Sequence, residues 1–150
     1  MGSSGEVLVK ARRYCAMQER CHQEVRDKLY GWDLHREEVE QIIGQLISEG
    51  FLDEQRFAEH YAVSKFRQKG WGRVKIRAAL KFKKVSAPCI AFGLKAIDDK
   101  EYRSALSDAV NKRSKKEKDG DAFVREQRVM RYFLGKGFEV DLIEQALGRA

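Results

Sequence analysis

The sequence predicts an all-α protein built as a tandem array of three three-helix, helix-turn-helix-like repeats, elongated and curved. Three observations carry that prediction. Apolar residues recur at three- and four-residue steps, as in Val25, Leu29, Val39, Ile42, Ile43 and Leu46, with carboxylates between them. No alternating β-branched run bounded by turn residues occurs. The pattern also returns along the chain. Val25, Leu29, Leu34, Val39 and Ile43, shifted by 51, land on Ile76, Leu80, Val85, Ile90 and Leu94. Shifted by 104 they land on Val129, Phe133, Phe138, Ile143 and Leu147, so every shifted position is apolar. One such unit is too small to bury its apolar face alone, whereas stacked units bury a continuous one.

The first repeat is assigned to residues 6–52. The preceding MGSSGEV reads in part as a cloning remnant, lacks the basic-then-apolar pattern of a secretory signal, and is left out of the fold reading. Cys21-His-Gln-Glu24 sits where a capping box belongs, with Glu24 placed to bond back; Cys is a weak cap, so a frayed start is expected. Trp32 is read as core. The second repeat, 53–97, and the third, 98–150, both open with an aspartate, Asp53 in FLDEQRF and Asp98 in IDDKEY. A short carboxylate there suits an N-cap, accepting from the amides of the first helical turn. Gly70 and Gly72 read as punctuation between two helices, with Gly72 at the position of Cys21. The Walker spacing and a preceding strand are both absent, so a nucleotide cradle is not expected. SKKEKDGD, Ser114 to Asp121, has no apolar residue and is expected to be a mobile loop.

Composition bounds the function. With 43% hydrophobic and 35% charged residues, the chain belongs with soluble folded proteins, and no apolar run approaches the ~20 residues a membrane helix needs. Cys15, Cys21 and Cys89 are an odd set that favours free thiols and a reducing cytoplasm. Cys15, Cys21 and His22 lack metal-ligand spacing, so no metal is expected, and His35 and His60 have no partner pattern. Neither a catalytic constellation nor a cofactor motif occurs, so no enzyme and no cofactor are expected.

The net charge of +7 is unevenly placed. Residues 1–59 carry −4 and residues 98–150 carry +1, whereas His60 to Ile97 holds ten cations and no carboxylate. Solvated helices normally interleave both signs, so this segregation points to a polyanion or an acidic protein surface. On a helix starting at Arg73, the residues Arg73, Arg77, Lys81 and Lys84 fall within ~80° of one another, while Ile76 and Leu80 turn to the core. Lys65, Arg67 and Lys69 extend the charge along the preceding helix. Trp71, between Gly70 and Gly72, is either packing between units or an exposed anchor. The plain alternative is a solvated face.

Gly50-Phe-Leu-Asp-Glu-Gln-Arg-Phe-Ala58, followed by Tyr61, Lys65, Arg67, Lys69-Gly70, Gly72, Ile76-Arg77 and Leu80, resembles the RecX family, bacterial regulators of the RecA recombinase. The family is also built of tandem three-helix units, so the resemblance covers nearly the whole chain. It implies binding to the RecA filament on DNA, contact with DNA itself, and dampening of ATP hydrolysis and strand exchange; a monomer is expected. Carried over with it, Leu52, Asp53, Arg56, Phe57 and Ala58 are architectural, and the basic residues after them, Lys65, Arg67, Lys69, Arg73, Arg77, Lys81 and Lys84, form the contact surface, to which Trp71 is added as the candidate anchor. The chain departs from the family at Lys83-Lys84-Val85, where many members carry Lys-Gly, at Cys21, where a cap serine is common, and in a short last helix of the second unit.

Two further readings stand beside this one. The chain is a general DNA-binding module using its helix-turn-helix-like units, or a solenoid adaptor for an acidic protein. A base-reading helix offers Arg, Asn or Gln at its exposed start. Arg73 and Arg77 qualify, but the rest of the stripe is lysine, which suits phosphates or carboxylates.

Overall fold

The protein is described from a computed structural model, which covers residues 4–149. Met1–Ser3 of the segment read as a cloning remnant, and Ala150, lie outside the described residues. Among the described residues there are nine helices and no strand: α1 (Ser4–Met17), α2 (His22–Tyr30), α3 (Arg36–Ser48), α4 (Glu54–Lys69), α5 (Arg73–Phe82), α6 (Ala87–Lys95), α7 (Asp99–Lys116), α8 (Ala122–Gly135) and α9 (Val140–Ala146). None is long and apolar enough to cross a membrane. The chain forms two compact units, one of residues up to Tyr61 with Leu80–Gly93, the other of Ala62–Ala79 with residues from Leu94 onward.

In the first unit α1, α2 and α3 pack against one another. Setting MGSSGEV aside proves too broad. Val7, Ala11 and Cys15 recur every four residues, so they share one face of α1 and are buried with Val25, Leu29 and Val39. The Ser-Gly composition hid a helix start. Trp32 is half-buried against the same core. The Cys21 amide donates to Glu24 Oε1 at 2.9 Å, and Cys21 itself is fully buried, so the box holds where fraying was expected. The second unit contains the mutually packed α7, α8 and α9 around Tyr102, Leu106, Val129, Phe133 and Ile143. Phe66 and Phe138 flank Tyr102, with ring centroids 5.4 and 5.2 Å away.

The repeat register is visible in burial. Of the fifteen positions related by 51 and 104, all are buried except Leu147, which is half-buried. It is also visible in the backbone. Asp33, Lys84 and Gly137 occupy one position in the three repeats, and all have positive φ, at 63°, 63° and 94°. Each follows the second helix of its repeat. The Lys84 amide donates to Lys81 O at 2.9 Å and that of Val85 to Leu80 O at 3.1 Å; Gly137 and Phe138 repeat the pair onto Leu134 O and Phe133 O. This left-handed closure satisfies the last carbonyls and returns the next apolar residue (Leu34, Val85 or Phe138) to a buried position.

The third-helix lengths vary, with nine residues in α6 against thirteen in α3. Ser114–Lys116 belong to α7, so the connection expected over Ser114–Asp121 is confined to residues 117–121. Lysine is a good helix former, which carries α7 through Lys115 and Lys116 despite the lack of apolar residues there.

Candidate partner and nucleic-acid interface

The GFLDEQRFA stretch builds the start of α4. Asp53 Oδ1 accepts from the Arg56 amide at 3.0 Å, which caps the helix as Asp98 caps α7 through the Glu101 amide at 2.8 Å. Leu52, Phe57 and Ala58 are buried. Arg56 reaches back, donating to both carboxylate oxygens of Glu19, at 3.0 and 2.8 Å, and to the carbonyls of Gly50 and Phe51. Gly93 packs directly against Ala58, since a Cβ on Gly93 would lie 2.7 Å from the Ala58 carbonyl oxygen and 2.9 Å from its Cβ.

The cationic segment is less bare than its sequence. Arg73 donates to Asp99 at 2.8 Å and to Glu139 at 3.1 Å, its guanidinium carbon lies 3.8 Å from the Tyr102 ring centroid, and its side chain is only 18% exposed. The Tyr102 hydroxyl accepts from the Arg73 amide at 2.9 Å and donates to Glu139 Oε1 at 2.5 Å. Burial, then the bond to Glu139, pushes the Tyr102 phenol far above its ordinary value. Arg67 makes a bidentate pair with Glu101, at 3.0 and 2.9 Å. In the first unit Lys83 pairs with Glu24 at 3.1 Å. The segment without a carboxylate of its own is therefore partly neutralised in space, at Arg67, Arg73 and Lys83. The partners stand 26 to 66 residues away, and no local pattern announces them.

Arg77, Lys81 and Lys84 are exposed, and no described residue pairs with them. Arg77 and Lys81 sit one turn apart on α5, while Ile76 and Leu80 are fully buried as the helical spacing predicted. Lys84 falls outside the helical arc, because α5 ends at Phe82 and Lys84 has turned left-handed. In the second unit Trp71 is half-buried between two ammonium groups, Lys65 Nζ at 5.1 Å and Lys75 Nζ at 4.7 Å from the ring centroid. Lys69 is exposed, and its carbonyl accepts from Lys136 Nζ at 2.9 Å.

Gly72 is more than punctuation. Its amide donates to Lys136 O at 2.8 Å and that of Val74 to Gly137 O at 2.9 Å, so two backbone segments of the second unit run in direct contact. A Cβ on Gly72 would lie 2.3 Å from Gly137 O, and one on Gly137 2.3 Å from Lys75 Cβ. Only glycine fits on either side.

The cysteine and histidine cluster near α2 reads as packing. Burial pushes the Cys21 thiol up to about 11, and burial also raises Cys15. His22 Nδ1 lies 2.7 Å from Glu54 Oε2, while the other polar atoms of the two side chains, His22 Nε2 and Glu54 Oε1, are buried without a partner.

Residues 53–94 match the family model for the second three-helix domain of RecX, and residues 100–147 the model for its third. The Regulatory protein RecX of Clostridium perfringens strain 13 is 27% identical over 128 residues, covering 84% of this chain, and that of strain SM101 gives the same figures. The chain spans 59% of the length of these relatives. The crystal structure of RecX from Lactobacillus salivarius superposes with a TM-score of 0.89 at 22% identity, covering 97% of this chain and 94% of that one. A second crystal structure, of regulatory protein RecX, gives 0.83 at 21% identity, covering 97% and 74%. These two likenesses establish the fold. The two domain models together cover more than half of the chain, each at its expected place in the order of three-helix units, and the chain belongs to the RecX family.

Proposed function

We propose that this chain binds the RecA recombinase filament on DNA and restrains its ATP hydrolysis and strand exchange. The observation that carries the reading is family membership, matched in two successive three-helix domains and accompanied by relatives named as regulatory proteins. In this reading residues 6–52, 53–97 and 98–150 act as the three repeats of a monomeric regulator in the cytoplasm, without a cofactor. Its contacts are electrostatic first. Lys81 and Lys84 in the first unit and Arg77 in the second are exposed and unpaired, and each meets phosphates or carboxylates; Lys65, Lys69 and Trp71 are further contacts of the second unit. Arg67 and Arg73 serve chiefly as structural cations, because their carboxylate partners already neutralise them.

A plain DNA-binding module is the second reading, and the same unpaired cations favour it. Titrating wild type and the Arg77→Glu/Lys81→Glu variant against free DNA and RecA-coated DNA at two ionic strengths separates the two. Binding to free DNA falls steeply with salt as counterions are released. Binding through the recombinase keeps a salt-resistant part from buried apolar contacts, and ATP hydrolysis by the filament falls with it. Equal binding by variant and wild type in all four titrations reduces the stripe to a solvated face. Loss of free-DNA binding with inhibition retained moves the functional surface to another repeat.

A further inference from the structure

The third repeat carries a feature that the sequence disguises. Residues 98–150 are nearly neutral at +1, yet four of their cations converge on one groove. Lys112, Arg113 and Lys116 from α7 and Lys136 from the end of α8, joined by Lys69, line a groove of about 320 Å³ within the second unit. No carboxylate lines it. Four carboxylates of this stretch are engaged elsewhere, Asp99 and Glu139 by Arg73, Glu101 by Arg67, and Glu126 by Arg149.

Ala105, Ala109, Lys112, Arg113 and Lys116 fall on one side of α7, so along that helix small residues give way to cations. Tyr132, Phe133 and Phe138 complete an apolar floor. Two contacts hold the rim in place. Arg113 lies with its guanidinium carbon 3.8 Å from the Tyr132 ring centroid, and Lys136 Nζ is held by the Lys69 carbonyl at 2.9 Å.

We infer that this α7–α8 groove is a docking site for an acidic peptide segment that carries a bulky apolar side chain. Charge complementarity requires an anionic occupant, because the five lining cations meet no lining carboxylate. The floor selects between anions. A nucleic-acid strand held by its phosphates would stack bases on open aromatic faces, but Arg113 already covers a face of Tyr132 and Phe133 meets its ring edge-on at 5.0 Å. An aliphatic or aromatic side chain seated beside Ala105 and Ala109, flanked by carboxylates reaching Lys112 and Lys116, uses both parts of the groove. The inference goes beyond the proposed regulation of a recombinase and needs none in its test, so the two fail separately.

The test uses the full chain and fluorescence anisotropy. The probes are a labelled acidic peptide of about twelve residues with two phenylalanines, the same peptide with serines in their place, and a labelled oligothymidine of equal length. The phenylalanine peptide is expected to bind at least about tenfold more tightly than the serine peptide. Lys112→Glu/Lys116→Glu should weaken it by a similar factor, and the uncharged Ala105→Trp, at an exposed site, should weaken it by filling the groove. Circular dichroism establishes that each variant is folded. Equal binding of the two peptides overturns the inference, since the floor then contributes nothing. So does oligothymidine that binds more tightly than the phenylalanine peptide and is lost in both variants, which makes the groove a nucleic-acid site.

Discussion

Replacing Gly72 by alanine tests the backbone contact that organises the second unit. The added Cβ would lie 2.3 Å from the Gly137 carbonyl oxygen, 2.4 Å from its carbon and 2.5 Å from the Phe138 nitrogen. All three are backbone atoms, so no side-chain rotation relieves the clash. A carbon and a carbonyl oxygen rest no closer than about 3.3 Å, which demands a separation of roughly 1 Å. The two bridging bonds, at 2.8 Å from the Gly72 amide and 2.9 Å from the Val74 amide, would then stretch past hydrogen-bonding range. Each lost bond costs about 1 kcal/mol net, and a donor or acceptor stranded out of water costs about 1–3 kcal/mol. The expected loss is about 3 kcal/mol. Urea unfolding followed by circular dichroism should show a midpoint lowered by roughly 1–3 M, for a denaturant slope of ~1–3 kcal/mol per M. Gly44→Ala is the control, because nothing lies within 4 Å of a Cβ in the interior of α3. It should stabilise by about 0.5–1 kcal/mol. A Gly72→Ala protein within about 0.5 kcal/mol of wild type, beside a stabilised Gly44→Ala, would refute the reasoning.

Tyr102→Phe strands the Arg73 amide and removes a donor from Glu139, and should cost about 1–2 kcal/mol in the same assay; a variant as stable as wild type would mean that water replaces the hydroxyl. Lys84→Gly relieves a left-handed lysine with φ of 63° and should stabilise by roughly 1 kcal/mol, whereas a destabilised variant would give the lysine side chain a compensating structural role. Hydrogen bonds from Arg12 and Gln45 hold the Glu49 carboxyl down at about 2. Its folded value lies below the unfolded value of about 4.3, so its contribution is present above that pH and is lost as pH falls toward 2. An NMR titration should find Glu49 at about 2 in wild type and back in the ordinary carboxylate range in Arg12→Ala; an ordinary value in wild type would deny the ion pair.

Periodicity alone determined the helices, the absence of strands among the described residues, and the register of the repeats, because burying one face of a helix imposes three- and four-residue spacing wherever the chain goes next. Asp53 and Asp98 were legible as caps for the same reason: a cap acts within three residues of itself. The left-handed closure at Asp33, Lys84 and Gly137 was hidden, since only one of the three is the glycine that announces such a turn. α1 was obscured by its Ser-Gly start, although Val7, Ala11 and Cys15 carry the spacing. Charge was the least legible property. The sequence located a segment of ten cations without a carboxylate, but tertiary packing decided which of them meet one, bringing Glu24, Asp99, Glu101 and Glu139 to Lys83, Arg73 and Arg67 from 26 to 66 residues away. Packing likewise gathered four cations of a nearly neutral repeat around one apolar groove, and made Gly72 a contact between backbones. Net charge sums along the chain, whereas Coulomb interaction and steric exclusion act through space, so the fold was written in local spacing and the site was made by the neighbours the fold supplied.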